Sequence, residues 1–529
     1  MRSWRAWLVI VVIFGGYSAL LSRAYDLQVL KGGYYSARAN SQSNLRSSSS
    51  GIRGAINFID KQGNRTAVAT NREFPVIFAV PKEIADVDEA ANLLSPVLKV
   101  SVDKLVALFS KKDTTYVELT SKADSVLVSA VDGLNIKGIY VDSKHFRFYP
   151  YGSLAANMLG YVGPNDKNGA TEGQYGLEAQ YENLLRGKSL NLTIDINIQS
   201  QAEKILKNLL DQYSAAGGSV IVEDPRSGKI LAMGSYPNFD PNEYSKSPVK
   251  NFINSVTQSV YEPGSVFKVI TMAAGLDSGK ITPETTFYDN GSLTLNGKTI
   301  RNWDLKAHGL VTMTNVIEES LNTGAAFAQR KTGDDSFYNY LVNFGLDKAT
   351  GVGLPGEVTG KLKNLVNKPR EIDFASASFG QGVSVTSMQL VQAIATIANG
   401  GTLMKPFLIE GTPTEPVRRV ISEAAAKQVT AMMVSAVDKA KIAQIPGYEI
   451  AGKTGTAQMP DLKKGGYSND YVHSYVGFGP ATDPRFVILM RIDKPKGATL
   501  AGMTVVPAFR ELAQFVINYY NLPADNVNQ

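Results

Sequence analysis

The sequence predicts an α+β protein in three parts: an N-terminal transmembrane helix, a mixed α/β module, and a domain with an antiparallel sheet flanked by helices. Three observations predict it. Residues Ala6 to Leu21 form an apolar run without a charge. Short strand-like and helix-like runs mix from residue 52 to about 185. Beyond about residue 190, strand-like segments at both ends enclose a stretch that reads as mostly helical, the order expected of an antiparallel sheet packed on helices.

The apolar run comes first. At roughly 1.5 Å per residue it barely crosses a bilayer core, with Trp4, Trp7 and Tyr17 placed for its interfaces. No good small-x-small cleavage site follows, and helix-like sequence continues from Arg23 to Leu30. The reading is therefore an uncleaved anchor over residues 6–22 rather than a signal peptide. Residues 1–5 then form a cytoplasmic head, and the remainder lies outside the cytoplasm. Composition narrows the rest. The 529 residues suffice for two or three domains. A net charge of +6 over that length is mild and gives no argument for nucleic acid. Zero cysteines exclude disulfides and thiolate metal sites, and His145, His308 and His473 stand singly.

After the anchor, "SQSNLRSSSSG" (residues 41–51) reads as a polar joint. The module of residues 23–187 carries strand-like "FPVIFAV" and "GIYVD" and helix-like "ANLLSPVLKV" and "SLAANMLGYV", with no catalytic constellation. In residues 188–525, "NLTIDINIQSQAEKILKNLL" is a strand and then a helix, and "GSVIVEDPRSGKILAMGSYP" is a hairpin about Pro225–Gly228. Residues 265–400 read as mostly helical, with Thr386-Ser-Met-Gln389 as a capping box before Leu390, Ile394 and Ile397. Three strands follow: "YEIAGKTGT", "HSYVGFG" and "RFVILMRID", the last two joined by "PATDP". A helix opened by Pro507 closes the chain, with Phe509, Leu512, Ala513, Val516 and Tyr520 on one face.

One motif points away from this picture. "GYEIAGKT" (447–454) fits the phosphate-loop pattern G-x-x-x-x-G-K-[ST]. A phosphate loop needs a helix after it, with its N-terminus on the phosphates. Here Tyr448–Ala451 read as strand, and "TAQMPDLKKGG" with Pro460 is no helix. No nucleotide is expected.

Lys453 finds another use beside "YEPGSVFKVITMAAGL". Ser265 and Lys268 lie three apart, so a helix beginning at Ser265 stacks them on one face. A serine hydroxyl is a weak nucleophile until a base takes its proton. Lysine is such a base only when burial or positive charge keeps its amine neutral. The pattern S-x-x-K also occurs at Ser101/Lys104 and Ser247/Lys250. Ser101 reads as a helix N-cap and Ser247 as a polar loop residue. Only Ser265 leads an apolar segment able to bury the lysine. Ser320-Leu321-Asn322 offers a second hydroxyl and an amide, though Ser189-Leu190-Asn191 matches as well. Lys453-Thr454-Gly455-Thr456 lies on a strand candidate, whereas Lys331-Thr332-Gly333 reads as a helix end.

The ordered set Ser265/Lys268, Ser320/Asn322 and Lys453/Gly455 resembles that of penicillin-binding proteins and class A β-lactamases. The chain resembles a class B penicillin-binding protein of the FtsI or penicillin-binding protein 2 type over nearly its whole length. "LQVLKGGYYSARAN", "YGLEAQYENLLRG" with Glu178, and "FGQGVSVTSMQLVQAIATIANGGTL" are similar to the family's anchor extension, hinge and inter-motif segment. The family's R-G-x-I-x-D-R-x-G is altered to "RGAINFIDKQG", which leaves any hinge role for Arg53 and Asp60 open.

The resemblance implies a pedestal or dimerisation module over 23–187 and a serine transpeptidase domain of β-lactamase-like fold over 188–525. It implies that Ser265 attacks the penultimate D-Ala carbonyl of a peptidoglycan stem peptide, with Lys268 as base and Ser320 as proton relay. Asn322 would orient substrate and lysine. Lys453 with Thr454, Gly455 and Thr456 would bind the terminal carboxylate, and the N–H groups of Ser265 and Thr456 would hold the oxyanion. β-Lactams would inhibit, no cofactor or metal would be needed, and a SEDS-type glycosyltransferase would be the membrane partner. A D,D-carboxypeptidase or β-lactamase on the same fold stays open, since it differs only in whether water or an amine resolves the acyl-enzyme. An inactive scaffold of a cell-wall complex is the reading from another class.

Overall fold

The structure is a computed structural model that describes residues 3–30, 32, 35, 52–165, 171–461 and 464–525. The polar joint at 41–51 lies outside the described residues. The first element is the helix Ser3–Tyr25, extended by a short π-helical turn, Asp26–Leu30. It is longer than the apolar run because Arg23 and its neighbours continue the helical pattern. Residues Trp4–Val29 are long and apolar enough to cross a membrane.

Beyond it the chain forms two compact units. One holds Thr70–Phe148 and Arg186–Lys188, together with the residues up to Gly54. The other holds Ser189–Gln529 and also takes Ala55–Ala69 and Tyr149–Leu185. Sequence alone groups those two segments with the pedestal. In the first unit, residues 70–79 pair antiparallel with Ile139–Phe148, from Thr70 opposite Phe148 to Ala79 opposite Ile139. The strand Val117–Thr120 borders the same segment. Three helices, Val87–Leu98, Val102–Phe109 and Ser125–Gly133, accompany this sheet. Ile77, Ala79, Leu94, Leu105 and Phe109 form the core.

The second unit is built on a five-stranded antiparallel sheet. Its strand order is Ala451–Pro460, Tyr467–Gly479, Phe486–Asp493, Gly217–Asp224, Lys229–Tyr236. Alternation along each strand feeds two cores. Val220, Val222, Ile488, Met490 and Ile492 face one, shared with the helices Ile196–Gln212 and Val505–Tyr520. Ile221, Val487 and Leu489 face the other, shared with Lys268–Asp277, Ser387–Ala398 and Glu423–Ala440. Burial on both faces explains why "SVIV" and "FVILM" are continuous apolar runs rather than alternating ones. Thr386 caps the helix Ser387–Ala398 by accepting from Gln389 N at 3.0 Å, and the Gln389 side chain returns the bond to Thr386 N at 2.9 Å. The last helix begins at Val505, two residues before Pro507, so Pro507 sits in the first turn.

The middle of the chain differs from expectation. Residues 286–312 are not helical but form two antiparallel pairs, Thr286–Asp289 with Gly309–Thr312 and Ser292–Leu295 with Lys298–Arg301. The second turns at Asn296 and Gly297, both at positive φ (48° and 74°). Asn-Gly is the preferred pair for such a two-residue hairpin, and it stands in the sequence as the available signal.

Candidate active site

Three elements of the second unit converge. Ser265 lies in a 3-10 turn, Gly264–Phe267, that runs into the helix Lys268–Asp277. Ser320 sits at φ +57° in the tight turn between the helices Met313–Glu318 and Asn322–Thr332. Lys453 lies on the edge strand Ala451–Pro460. The strand and the turn are pressed together at a pair of glycines. A Cβ on Gly455 would stand 2.8 Å from Pro263 O and 2.5 Å from Ser474 Oγ. A Cβ on Gly264 would stand 3.0 Å from the Ala457 Cβ. Gly455 is thus required by protein packing against the Ser265 turn. Close approach of a substrate is not needed to explain it.

The polar centre is built from two buried lysines on one hydroxyl. Lys268 Nζ donates to Ser320 O at 2.5 Å and to Ser320 Oγ at 3.2 Å. Lys453 Nζ donates to the same Oγ at 2.9 Å and to Thr454 O at 3.2 Å. Lys268 is fully buried and Lys453 is 4% exposed. Among the described residues, no carboxylate hydrogen-bonds either amine. Burial drives the Lys268 amine far below the ordinary lysine range, and the Lys453 charge pushes it the same way. Burial also lowers Lys453 to about 7. Lys268 is the more strongly biased of the two toward the neutral amine, the form that accepts a proton. Ser265, one turn before Lys268, is only half-buried and so remains reachable.

Thr454 and Thr456 lie on the less buried side of the strand, alternating with Lys453 and Gly455. Thr456 Oγ1 accepts from Ala501 N at 3.1 Å. His473, opposite Thr456 on the adjoining strand, is a core histidine whose Nδ1 lies 3.0 Å from Thr504 Oγ1. Asn322 does not reach Lys268. Its side chain donates to Arg301 O at 2.8 Å.

The copies rejected from sequence have ordinary surroundings. Lys104, Lys250 and Lys331 are exposed. Gly333, after Lys331 and Thr332, closes its helix at φ +87°. Ser189 Oγ accepts from Ala55 N, and Asn191 Oδ1 from Asn57. The phosphate-loop reading fails on geometry too. Its glycine and lysine, Gly452 and Lys453, are strand residues, and the strand continues to Pro460, the next described element being another strand, Tyr467–Gly479. The strand of Lys453 starts at Ala451, so Tyr448–Ile450 precede it rather than belong to it.

Comparison with known proteins fits this arrangement. Residues 218–514 match the penicillin binding protein transpeptidase domain, and residues 48–220 match the penicillin-binding protein dimerisation domain. The chain belongs to the penicillin-binding protein transpeptidase family. Among its relatives, stage V sporulation protein D of Bacillus subtilis is 33% identical over 86% of this chain and 76% of that protein. Peptidoglycan D,D-transpeptidase FtsI of Escherichia coli is 28% identical over 99% of this chain and 93% of its own. Among solved structures, a peptidoglycan synthetase from Bifidobacterium adolescentis superposes with a TM-score of 0.69 at 26% identity, covering 91% of this chain and 97% of that one.

The family motifs do not include the residues that hold Ser320 in place. The helix Asn322–Thr332 lacks a side-chain cap from its own N-cap residue, Leu321. Asn302 supplies it from outside, its Oδ1 accepting from Asn322 N at 2.9 Å and Thr323 N at 3.3 Å. Asn302 is fixed in turn by Asp289 at 2.8 Å, and Asp289 also accepts from Thr323 Oγ1 at 2.7 Å. Asp289 and Asn302 are buried. Sequence reasoning missed both, because a cap supplied from distant residues has no local spacing to recognise. Of the altered hinge motif, Asp60 is engaged in its own turn, accepting from Gln62 N and Asn64 N at 2.9 Å each.

Proposed function

We propose that this protein is a peptidoglycan D,D-transpeptidase working through a serine acyl-enzyme at D-Ala-D-Ala and blocked covalently by β-lactams. The observation that carries the reading is Lys268, buried one turn after a reachable serine and sharing the Ser320 hydroxyl with Lys453. Neutral Lys268 takes the Ser265 proton as Oγ bonds to the penultimate D-Ala carbonyl carbon. The carbonyl electrons move to oxygen, where the N–H groups of Ser265 and Thr456 act as oxyanion donors. Collapse expels the terminal D-Ala amine, and the proton on Lys268 reaches that nitrogen through Ser320 Oγ. An amine from a second stem then attacks the ester, returns its proton by the same route, and frees Ser265.

Lys453 serves as the fixed charge for the terminal carboxylate, with Thr454 and Thr456 beside it. Asn322 would serve as an amide for the substrate backbone. The helix Ser3–Tyr25 anchors the protein as a single-pass membrane protein with its N-terminus in the cytoplasm. A SEDS-type glycosyltransferase would be engaged through that anchor and the N-terminal module.

Labelling with a fluorescent penicillin tests the reading. The wild type should carry one adduct, located by mass spectrometry on the peptide containing Ser265, and Ser265→Ala should carry none while staying folded. Lys453→Ala should slow acylation by about 100-fold, a usual cost for losing an electrostatic contact to the reacting group. Lys331→Ala should change it by less than about threefold, since an exposed helix-end charge contributes little. An adduct on Ser101, Ser247 or Ser320 would overturn the assignment.

A further inference from the structure

A cavity adjoins the Ser320–Asn322 turn. It has a volume of about 350 Å³ and is lined on one side by Asn322 and on another by Lys298 and Arg301 of the Asn-Gly hairpin. Arg370, Asp373 and Tyr467 complete its charged and hydroxyl-bearing wall. Arg370 holds Asp373 in a two-point ion pair at 2.8 and 3.0 Å, and Lys298 helps keep the same carboxyl ionised. Three cations therefore face one carboxylate. Arg301 has no anionic partner among the described residues. Tyr467 closes the wall toward the Ser265 turn, its hydroxyl donating to Glu262 Oε2 at 2.9 Å, three residues before Ser265. Glu262 also accepts from Gly382 N at 3.1 Å, another cavity residue.

We propose that this cavity is a subsite for a carboxylate on the acyl-donor peptide, one or two residues upstream of the bond that is cleaved. The inference rests on the transpeptidase reading. In that reading the terminal carboxylate lies at Lys453 and the attacked carbonyl at Ser265, so the upstream peptide leaves past Asn322. An extended peptide advances roughly 3.3–3.6 Å per residue, which brings the next side chains to the hairpin. The excess positive charge selects an anionic side chain. A guanidinium without a partner offers a fork of donors matched to a carboxylate. The volume suits one side chain, being at the small end of ligand pockets, which run from about 300 to 1,000 Å³. An amidated or neutral residue gains none of this attraction, so the subsite is a specificity device for the acidic form of the peptide.

The test uses two penicillins with identical cores, whose 6-acylamino side chains end in a carboxylate or in the corresponding primary amide. That side chain occupies the upstream direction. In the full-length protein the carboxylate form should acylate Ser265 at least about fivefold faster than the amide at low salt. The double variant Lys298→Glu/Arg301→Glu should bring the ratio to one or below, and added salt should shrink it in the wild type, as for any partly exposed charge pair. Equal rates for both probes in the wild type, or a ratio unmoved by the double substitution, would overturn the subsite while leaving the transpeptidase reading intact. No acylation by either probe would overturn the transpeptidase reading, and the subsite with it.

Discussion

Lys268 and Lys453 meet on the Ser320 hydroxyl, so their protons come off as a coupled pair rather than from two independent amines. Burial is the main cause of the Lys268 shift and the Lys453 charge the second. The sign follows directly. A neighbouring ammonium disfavours a second positive charge, so removing it makes Lys268 easier to protonate and raises its pKa. The neutral amine is the active form, hence acylation by a penicillin should rise with pH along a limb well below the ordinary 10.5 of lysine. In Lys453→Met that limb should move to higher pH, in addition to any fall in the plateau. Second-order acylation rates measured between about pH 5 and pH 9 decide it, using wild-type and Lys453→Met protein. A limb that stayed in place would show that the two lysines do not share their electrostatics.

The element that carries the nucleophile is a turn wedged against a strand. Gly264–Phe267 fits against Gly455–Ala457 because two glycines omit the atoms that would collide. Of the atoms a Gly455 Cβ would meet, Ser474 Oγ can rotate away but Pro263 O is backbone and cannot. Gly455→Ala should therefore displace the Ser265 turn from the strand. Overpacking of this kind costs about 1–3 kcal/mol, and small displacements of a reacting group cost rate steeply. The expected outcome is a lowered melting temperature and acylation slowed by roughly tenfold or more. Unchanged melting and full acylation together would mean that the turn has room the geometry does not show. The Asn-Gly hairpin matters at the same scale. It delivers Arg301 O to Asn322 and leads into Asn302, so a short β element sets the geometry of the Ser320 turn.

At the scale of the molecule, one apolar helix precedes two compact units. Its exposed side chains include Trp4, Trp7, Phe14 and Tyr17, each more than 60% exposed. Exposure of that many large apolar groups along a continuous helix is stable in lipid and costly in water. The mature protein should retain residues 1–25 and fractionate with membranes, as checked by N-terminal sequencing of protein recovered from the membrane fraction. A new N-terminus between residues 19 and 30 would make the helix a cleaved leader.

The local features of the fold are legible in the sequence. The long first helix follows from an uncharged apolar run, two of the strands from "SVIV" and "FVILM", and the capped helix from Thr386 and Gln389, because each is a local pattern that backbone geometry must obey. The three serine–lysine pairs also differ in their surroundings. Lys268 is buried, while Lys104 and Lys250 are exposed. What residues distant in the chain do to one another emerges from the packing alone. Lys268, Ser320 and Lys453 meet on one hydroxyl across 185 positions of sequence. Asn302 caps a helix it does not belong to. Gly455 is answerable to Pro263, and the side chain of Asn322 turns to Arg301 rather than to the lysine. Burial, and with it the loss of the lysine charge, comes from all the elements packed around a site at once. No spacing along the chain encodes it.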